Sequence, residues 1–303
     1  MPIRYIDRET GLVVDEKRHD VGVLEFLYGQ SMISRLVRKI IRRHFVSMIY
    51  GWIYHRKVSP NKLQKFVDKL NIDMKDAEKP ISQYASRNDV FIRTLHPCAR
   101  SIDSDLNTLL SPADSSLFVI PELNQSTISV KNGDYTLEEL LQDQALAGEF
   151  KNGAVLIFRL IPKDYHRFHF PDGGFAKAPK VISGSLDSVS AYATARDPKI
   201  FCHNQREVVI LDSDHFGKML LIPIGAVMIG KIVQTYKAGR VERGEEQGYF
   251  EIGGSSILMV MQKETIKFDE DLISNSFNGL ETKIKMGTRI GVVRLAIPIV
   301  KEQ

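Results

Sequence analysis

Apolar residues repeat with two different spacings along the chain, and each spacing predicts its own kind of structure. In the amino-terminal third they recur every three or four positions, as on one face of a helix. After Ser111, short runs rich in Val and Ile alternate with clusters of Gly, Pro, Asn and Asp, a pattern typical of strands and turns. We therefore expect an α+β fold, with a helical region over residues 1–105 and a β-rich domain over residues 106–303.

The elements predicted in the β-rich part are short. Apolar runs predict strands at residues 117–120, 154–160, 208–211, 219–224, 257–261 and 290–299. A single helix is expected among them, at residues 136–150. Within the amino-terminal region, a second helical pattern covers residues 60–80.

The most strongly patterned helix has a basic face and an apolar face. Between Phe26 and Val67 the chain carries nine Lys or Arg residues and no Asp or Glu. The apolar face is formed by Ile33, Leu36, Val37, Ile40 and Ile41. Such a helix suits the surface of an anionic membrane, and the aromatic residues that follow it suit the headgroup region. A core helix with a solvated basic side is the alternative.

The composition of the chain predicts where the protein is located and which partners it binds. No apolar run reaches the ~20 residues that span a bilayer, and the charged amino terminus is unlike a signal peptide. We expect peripheral attachment to the cytoplasmic face of the cell membrane, and no nucleic-acid partner, since that role would not need so wide an apolar face. Cys98 and Cys202 show no metal-binding spacing, so neither a disulfide nor a metal site is expected.

Three polar islands interrupt the β-rich part and could carry chemistry. They are residues 111–114 (SPAD), 164–171 (DYHRFHFP) and 253–256 (GGSS). Taken singly, each has an ordinary structural explanation, because the His166 and His169 pair lacks a third metal ligand and GGSS suits a turn. Together they supply a carboxylate, two histidines and serines.

The order of these islands resembles the phosphatidylserine decarboxylase family, whose signatures are Pro-Ala-Asp, Tyr-His-Arg-x-His and Gly-Ser-Thr elements. The similarity extends to residues 91–100 (FIRTLHPCAR), 201–210 (FCHNQREVVI) and 225–232 (GAVMIGKI), and it covers roughly residues 85–300. Three positions depart from the family pattern. Ser115 stands where Gly is usual, Ser256 where Thr is common, and Ser190 where Asn is common.

The resemblance implies a precursor that cuts itself between Gly254 and Ser255 and then converts phosphatidylserine to phosphatidylethanolamine and CO₂. The cut would turn Ser255 into a pyruvoyl group, which forms a Schiff base with the substrate and accepts the electron density that ordinary side chains cannot. The resemblance assigns the base for the cut to His169 and the orienting carboxylate to Asp114. It assigns His166 to decarboxylation, where a histidine titrating near neutrality would suit proton delivery.

Two other functions fit part of this pattern. A Ser-His-Asp lipid hydrolase would use the same residue types, but the chain lacks a G-x-S-x-G elbow. A membrane-bound, carrier-like β domain would need no catalysis, but a central modifiable lysine is missing. Of the three functions, only the decarboxylase requires the precursor to break into two chains, the smaller being residues 255–303. We expect the large and small chains to remain associated, and we expect the protein to form a homodimer.

Overall fold

The fold was obtained as a computed structural model, which describes residues 4–16, 21–29, 31–130, 133–226, 231–253 and 255–294. A 3₁₀ turn lies at Ile81–Gln83. The α-helices are α1 (Val21–Leu27), α2 (Met32–Ile41), α3 (His44–His55), α4 (Pro60–Leu70), α5 (Arg87–Phe91), α6 (Leu137–Leu141), α7 (Gln144–Gly148), α8 (Ala191–Thr194), α9 (Ile200–His203) and α10 (Glu270–Phe277).

Two strands lie near the amino terminus, and the others follow residue 105, where strands are more abundant than helices. They are β1 (Arg4–Asp7), β2 (Val13–Asp15), β3 (Thr108–Leu110), β4 (Ser115–Ile120), β5 (Thr127–Val130), β6 (Gly133–Thr136), β7 (Ala154–Leu160), β8 (Arg167–His169), β9 (Gly174–Ala176), β10 (Lys180–Ile182), β11 (Arg206–Ser213), β12 (Gly217–Ile224), β13 (Ile232–Gln234), β14 (Gly239–Val241), β15 (Glu246–Phe250), β16 (Ser255–Met261), β17 (Ile266–Phe268), β18 (Glu281–Ile284) and β19 (Arg289–Val293).

One eleven-stranded sheet organises the molecule, in the order β14-β9-β11-β12-β16-β7-β4-β18-β1-β2, with β10 also paired to β11. Its strand pairs are antiparallel apart from β1 and β18, which run parallel. Smaller sheets, β13-β15-β8 and β17-β19-β3, and the hairpin β5-β6 complete the β structure of the described residues. The α+β class expected from the sequence is confirmed.

The centre of the main sheet is buried on both faces. All residues of β7 and β16 are buried. Alternate side chains of a strand point to opposite faces, so Leu156 and Phe158 join one core while Val155 and Ile157 join the other. These strands are therefore continuous apolar runs in the sequence, and the run predicted at residues 154–160 coincides with β7.

The helices begin and end at positions that differ from those predicted from the sequence. The helix expected at residues 136–150 is two short helices, because Gln142 has the left-handed φ of 48° that ends α6. The amphipathic helix ends at Ile41, and α3 begins at His44. Strands β1 and β2 lie within the region expected to be helical and join the main sheet through β18. Of the strand predicted at residues 290–299, residues 295–299 lie outside the described part.

Helices α3, α4 and α5 pack on the β domain through a third core. This core includes Leu63, Phe66 and Phe91 together with Ile252, which follows β15. The backbone N–H of Ile252 donates to the Oδ1 atom of Asn88 at 3.0 Å. The helical region thus contacts the chain immediately before the GGSS island.

Helices α2 and α3 turn their apolar side chains away from the protein. Exposed apolar residues of the two helices are Met32, Ile33, Leu36, Ile40, Phe45, Met48, Ile49, Trp52 and Ile53, whereas Val37 and Ile41 are half-buried. The inward side of α2 carries Ser34, which is buried, and Arg38, which pairs with the buried carboxylate of Asp187 at 2.8 Å. Among the described residues, none of the helices has the length and apolar character needed to cross a membrane.

Candidate active site

The three polar islands meet at one end of the main sheet. Ser255, the first residue of β16, pairs with Leu160, the last residue of β7. Asp114 directly precedes β4, which lies on the other side of β7. The backbone N–H of His169 donates to the carbonyl of Pro112 at 2.9 Å. Because neighbouring strands lie about 4.8 Å apart, the starts of β4 and β16 are only about 10 Å apart.

Ser255 is fully buried, and its Oγ atom has no hydrogen-bond partner among the described residues. The alternation along β16 places its side chain on the same face as Ile257, in the core that contains Phe168 and Phe250. Residues Phe168 and His169 belong to the same strand, β8. Ser256 points to the opposite face of the sheet. The fold therefore distinguishes the two serines, because only Ser255 lies on the face of β16 that packs in the core containing Phe168.

Two glycines precede Ser255. Gly253 has a φ of 151°, a conformation that residues with a side chain rarely adopt. Gly254, the residue on the other side of the expected cut, lies outside the described residues. The bend that turns the chain from β15 into β16 thus depends on glycine.

The ring of His169 is fixed at both nitrogens. Its Nδ1 atom lies 2.9 Å from the carbonyl oxygen of Gly244, which can only accept, so Nδ1 carries the hydrogen. Its Nε2 atom lies 3.2 Å from the hydroxyl of Tyr165, which donates to it. Burial lowers the pKa of His169, so the neutral form with a lone pair on Nε2 is favoured. This is the form that a general base requires.

The carboxylate of Asp114 is held by Arg100. The Nε and Nη2 atoms of Arg100 contact the two carboxylate oxygens at 2.9 and 2.6 Å, and the backbone N–H of Met286 donates to Oδ1 at 2.8 Å. His169 takes its orientation from Gly244 and Tyr165 instead. The structure therefore brings Asp114 close to His169 without placing the carboxylate on the ring.

His166 is fully buried and stacks on Phe91, with ring centroids 3.9 Å apart. Its Nδ1 atom donates to the carbonyl of Asp164 at 3.0 Å, and Nε2 has no partner among the described residues. Burial lowers the pKa of His166 to about 3, so the ring is neutral. The expectation that this histidine titrates near neutrality does not hold in the uncut chain, because enclosure by apolar neighbours disfavours the charged ring.

Two arginines tie the helical region to the histidine segment. Arg93 is buried and donates to the carbonyls of Lys163 and Asp164 at 3.3 and 3.4 Å. In the opposite direction, Arg167 donates to the carbonyl of Ile92 at 2.9 Å. These reciprocal contacts fix the loop that carries the two histidines.

The sequence predictions gave no role to several residues that contact the site. Three of them lie in residues 91–100, whose similarity to a family segment was their only signal in the sequence and assigns no roles; Asn88 lies outside that segment. These residues are Asn88, Phe91, Arg93 and Arg100.

The segment at residues 201–210 supports the fold. The guanidinium of Arg206 is fully buried and donates to four backbone carbonyls, including those of Leu140 and Cys202, each at 2.6 Å. Asn204 bridges the backbone of Asp187 to that of Gly225. Both side chains satisfy buried backbone groups, which would otherwise cost free energy.

Comparison with known proteins gives a consistent result over nearly the whole chain. The model of the family described as phosphatidylserine decarboxylase matches residues 87–292. A Fusobacterium nucleatum protein named phosphatidylserine decarboxylase proenzyme is 40% identical over 291 residues, which are 95% of this chain and 97% of that protein. Proteins with the same name from Desulfitobacterium hafniense and Clostridium botulinum are 39% and 38% identical; the alignments span 96% and 95% of this chain and 98% and 99% of those proteins.

Proposed function

The chain belongs to the phosphatidylserine decarboxylase family, and from this membership we infer that it is made as a precursor that cuts itself before Ser255. Its activity is that of a carboxy-lyase acting on phosphatidylserine. The observation that carries the proposed maturation is the Ser255 hydroxyl, which is buried without a partner among the described residues, at the end of the sheet where His169 and Asp114 also lie. A buried hydroxyl left unpaired costs free energy, so its presence points to a function.

In the proposed cut, the Oγ atom of Ser255 attacks the carbonyl carbon of Gly254. The serine proton passes to Nε2 of His169, and the amide nitrogen of Ser255 leaves with a proton, so an ester replaces the amide. Removal of the Ser255 α-proton then expels the Gly254 carboxylate. Hydrolysis of the resulting dehydroalanine releases ammonia and leaves the pyruvoyl group. Glycine at position 254 leaves the attacked carbonyl uncrowded.

The surroundings of His169 suit this role. Burial lowers its pKa, and the carbonyl of Gly244 and the charges of Glu246 and Asp114 act in the opposite direction. Asp114 would therefore stabilise the ring when it takes up the serine proton. Tyr165 donates to the same lone pair. The serine must either displace this hydroxyl or pass its proton through it.

A pyruvoyl group fits the enclosed start of β16. Within the described part of the chain, the serine hydroxyl makes no hydrogen bond that its loss would break. Backbone pairing with Leu160 holds the position on the β7 side. The group would supply a carbonyl that accepts electron density from the substrate. Nearby, His166 presents an unpaired Nε2 atom on a neutral ring. The neutral ring can accept a proton at Nε2. It can therefore donate a proton to the substrate only after it has first taken one up.

The alternative of a lipid hydrolase is not favoured. Ser255 opens a strand after two glycines, whereas the nucleophile of that class sits between a strand and a helix. The family match and the proenzyme names of the relatives also favour the self-cutting reaction.

Intact mass spectrometry of the purified protein tests the proposed maturation. We expect two chains, residues 1–254 and 255–303, with the small chain blocked by a ketone at its amino terminus. The Ser255→Ala variant should stay a single chain and should not release CO₂ from phosphatidylserine. A wild-type chain that decarboxylates phosphatidylserine while remaining uncut would refute the proposal.

We further propose that α2 and α3 attach the enzyme to the membrane surface that holds its substrate. Their apolar side chains point outward, which is the reverse of a core helix, and they are accompanied by exposed Arg35, Lys39 and Arg43. Each such cation near an anionic surface contributes about 1 kcal/mol, and the apolar side chains add a part that salt does not screen. Arg38 is already paired with Asp187 and is not counted.

A vesicle-binding experiment tests the attachment. Replacing Ile33, Leu36 and Ile40 by Ser should weaken binding to anionic vesicles and activity on them, while the cut proceeds normally. Phe277→Ser is the matched control, because Phe277 is 92% exposed but lies on α10. Unchanged binding by the folded triple variant would show that another surface meets the lipid. Attachment at the cytoplasmic face and a homodimer remain predictions.

A further inference from the structure

Arg100 is the last residue of the segment at residues 91–100 (FIRTLHPCAR), and it has no assigned role in self-cleavage or decarboxylation. We propose that Arg100 is a positioning residue for self-cleavage, acting by holding the carboxylate of Asp114 in one orientation near His169. This inference rests on the proposed role of Asp114 in the cut.

The contact between Arg100 and Asp114 has the geometry of a specific pair. Two guanidinium nitrogens meet two carboxylate oxygens at 2.9 and 2.6 Å, and both side chains are only 10% exposed. A forked pair of this kind fixes direction as well as distance, which a lysine cannot do. Breaking an enclosed ion pair by removing one partner leaves the other without its main contact, which is costly.

Arg100 is itself fixed from the other side. Its Nη1 atom donates to Asp76 at 2.8 Å and to the carbonyl of Ala99 at 2.6 Å. Asp76 is 45% exposed, so this second ion pair is worth little compared with the enclosed one. The arrangement anchors the guanidinium while directing its fork at Asp114.

The other contacts of Asp114 show what would hold the carboxylate without Arg100. Asp114 interacts electrostatically with Arg93, Tyr165 and His169. Arg93 donates to the backbone of the histidine loop and makes no contact with Asp114 that could replace the fork. The Met286 N–H would remain, but a single neutral donor fixes one oxygen only.

A cavity of about 560 Å³ borders both Arg100 and Asp114, and it makes the proposal testable by chemical rescue. Removing the side chain in Arg100→Ala leaves space that a free guanidinium ion can enter. We expect this variant to accumulate as an uncut precursor, with cutting slowed on the order of 10²-fold, the size of effect that a small misplacement of a reacting group produces.

The experiment adds guanidinium chloride to the purified Arg100→Ala precursor, far below the concentration that unfolds it, and follows cutting on a gel. Guanidinium should restore cutting, whereas urea, which has the same shape without the charge, and sodium chloride at equal ionic strength should not. Asp76→Asn should cut normally. Wild-type cutting by Arg100→Ala, or a folded uncut precursor that guanidinium does not rescue, would overturn the proposal.

Two further variants keep the outcome decisive. If Arg100→Ala fails to fold, Arg100→Lys replaces it: slow cutting with an unchanged unfolding temperature supports the fork, and a wild-type rate overturns it. The Asp114→Asn variant distinguishes the role of Asp114 in the cut from the role of Arg100 in positioning Asp114. If that variant cuts normally, the role of Asp114 is wrong; if it fails to cut while Arg100→Ala cuts normally, only the present inference fails.

Discussion

The start of strand β16 and the outer face of helix α2 depart from ordinary protein structure in opposite ways. At β16 the hydroxyls of Ser255 and Ser256 are buried and have no hydrogen-bond partner among the described residues, and on α2 apolar side chains such as Leu36 lie in the open. Each arrangement costs free energy in the isolated chain. Both costs fit the proposed function, in which the buried hydroxyl of Ser255 cuts the chain and the exposed apolar surface of α2 meets a membrane.

The largest expected effect concerns the buried start of β16. Ser255→Ala should abolish cutting, because it removes the hydroxyl that attacks Gly254 in the proposed reaction. Ser256→Ala is the matched control and should cut at the normal rate, since that side chain points to the other face of the sheet. Gel electrophoresis of the two purified variants decides this, and processing of the Ser255→Ala chain would contradict the assignment.

The two histidines should separate the two reactions. His169→Ala should slow the cut, and His166→Ala should cut but decarboxylate phosphatidylserine poorly, each by about 10² to 10⁴-fold, as is usual for a positioned acid or base. Cutting is followed by mass spectrometry and decarboxylation by the release of CO₂. Full activity of the His166→Ala enzyme would show that its unpaired Nε2 has no part in the reaction.

Equal leucine truncations should have unequal effects in the two regions. Leu258→Ala in β16 should lower the free energy of unfolding by about 2–5 kcal/mol, because it leaves a cavity in a closed core. Leu36→Ala on α2 should change it by less than about 0.5 kcal/mol, because the side chain is 61% exposed. Urea unfolding of both variants on the uncut Ser255→Ala background measures this. Similar losses would mean that α2 is an ordinary core helix.

The buried histidine also imposes a pH dependence on stability, which appears only in acid. The pKa of His166 is about 3 in the folded chain and about 6.5 when unfolded, so between these pH values only the unfolded chain binds the proton. The free energy of unfolding should therefore fall as pH drops through this window, by up to about 1.4 kcal/mol per pH unit from this group. Unfolding of Ser255→Ala with and without His166→Gln tests it; the exposed His96→Gln is the control, and an equal slope in all three would contradict the burial argument.

The sequence by itself determined the features that depend on neighbours along the chain. Continuous apolar runs fixed the position of β7, because a strand covered on both faces has no polar side. The ordered islands identified Asp114, His166, His169 and Ser255, since a family motif is recognised residue by residue. Helical spacing likewise revealed the two faces of α2.

Only the tertiary structure decided what each of those residues meets. The face to which Ser255 points follows from the pairing of β16 with β7, and the carboxylate of Asp114 meets Arg100 because β4 begins beside the segment after α5. The neutral state of His166 comes from burial against Phe91. Whether the apolar side of α2 faces inward or outward depends on Arg38 pairing with Asp187. These contacts join residues far apart in the chain, so no local pattern could specify them.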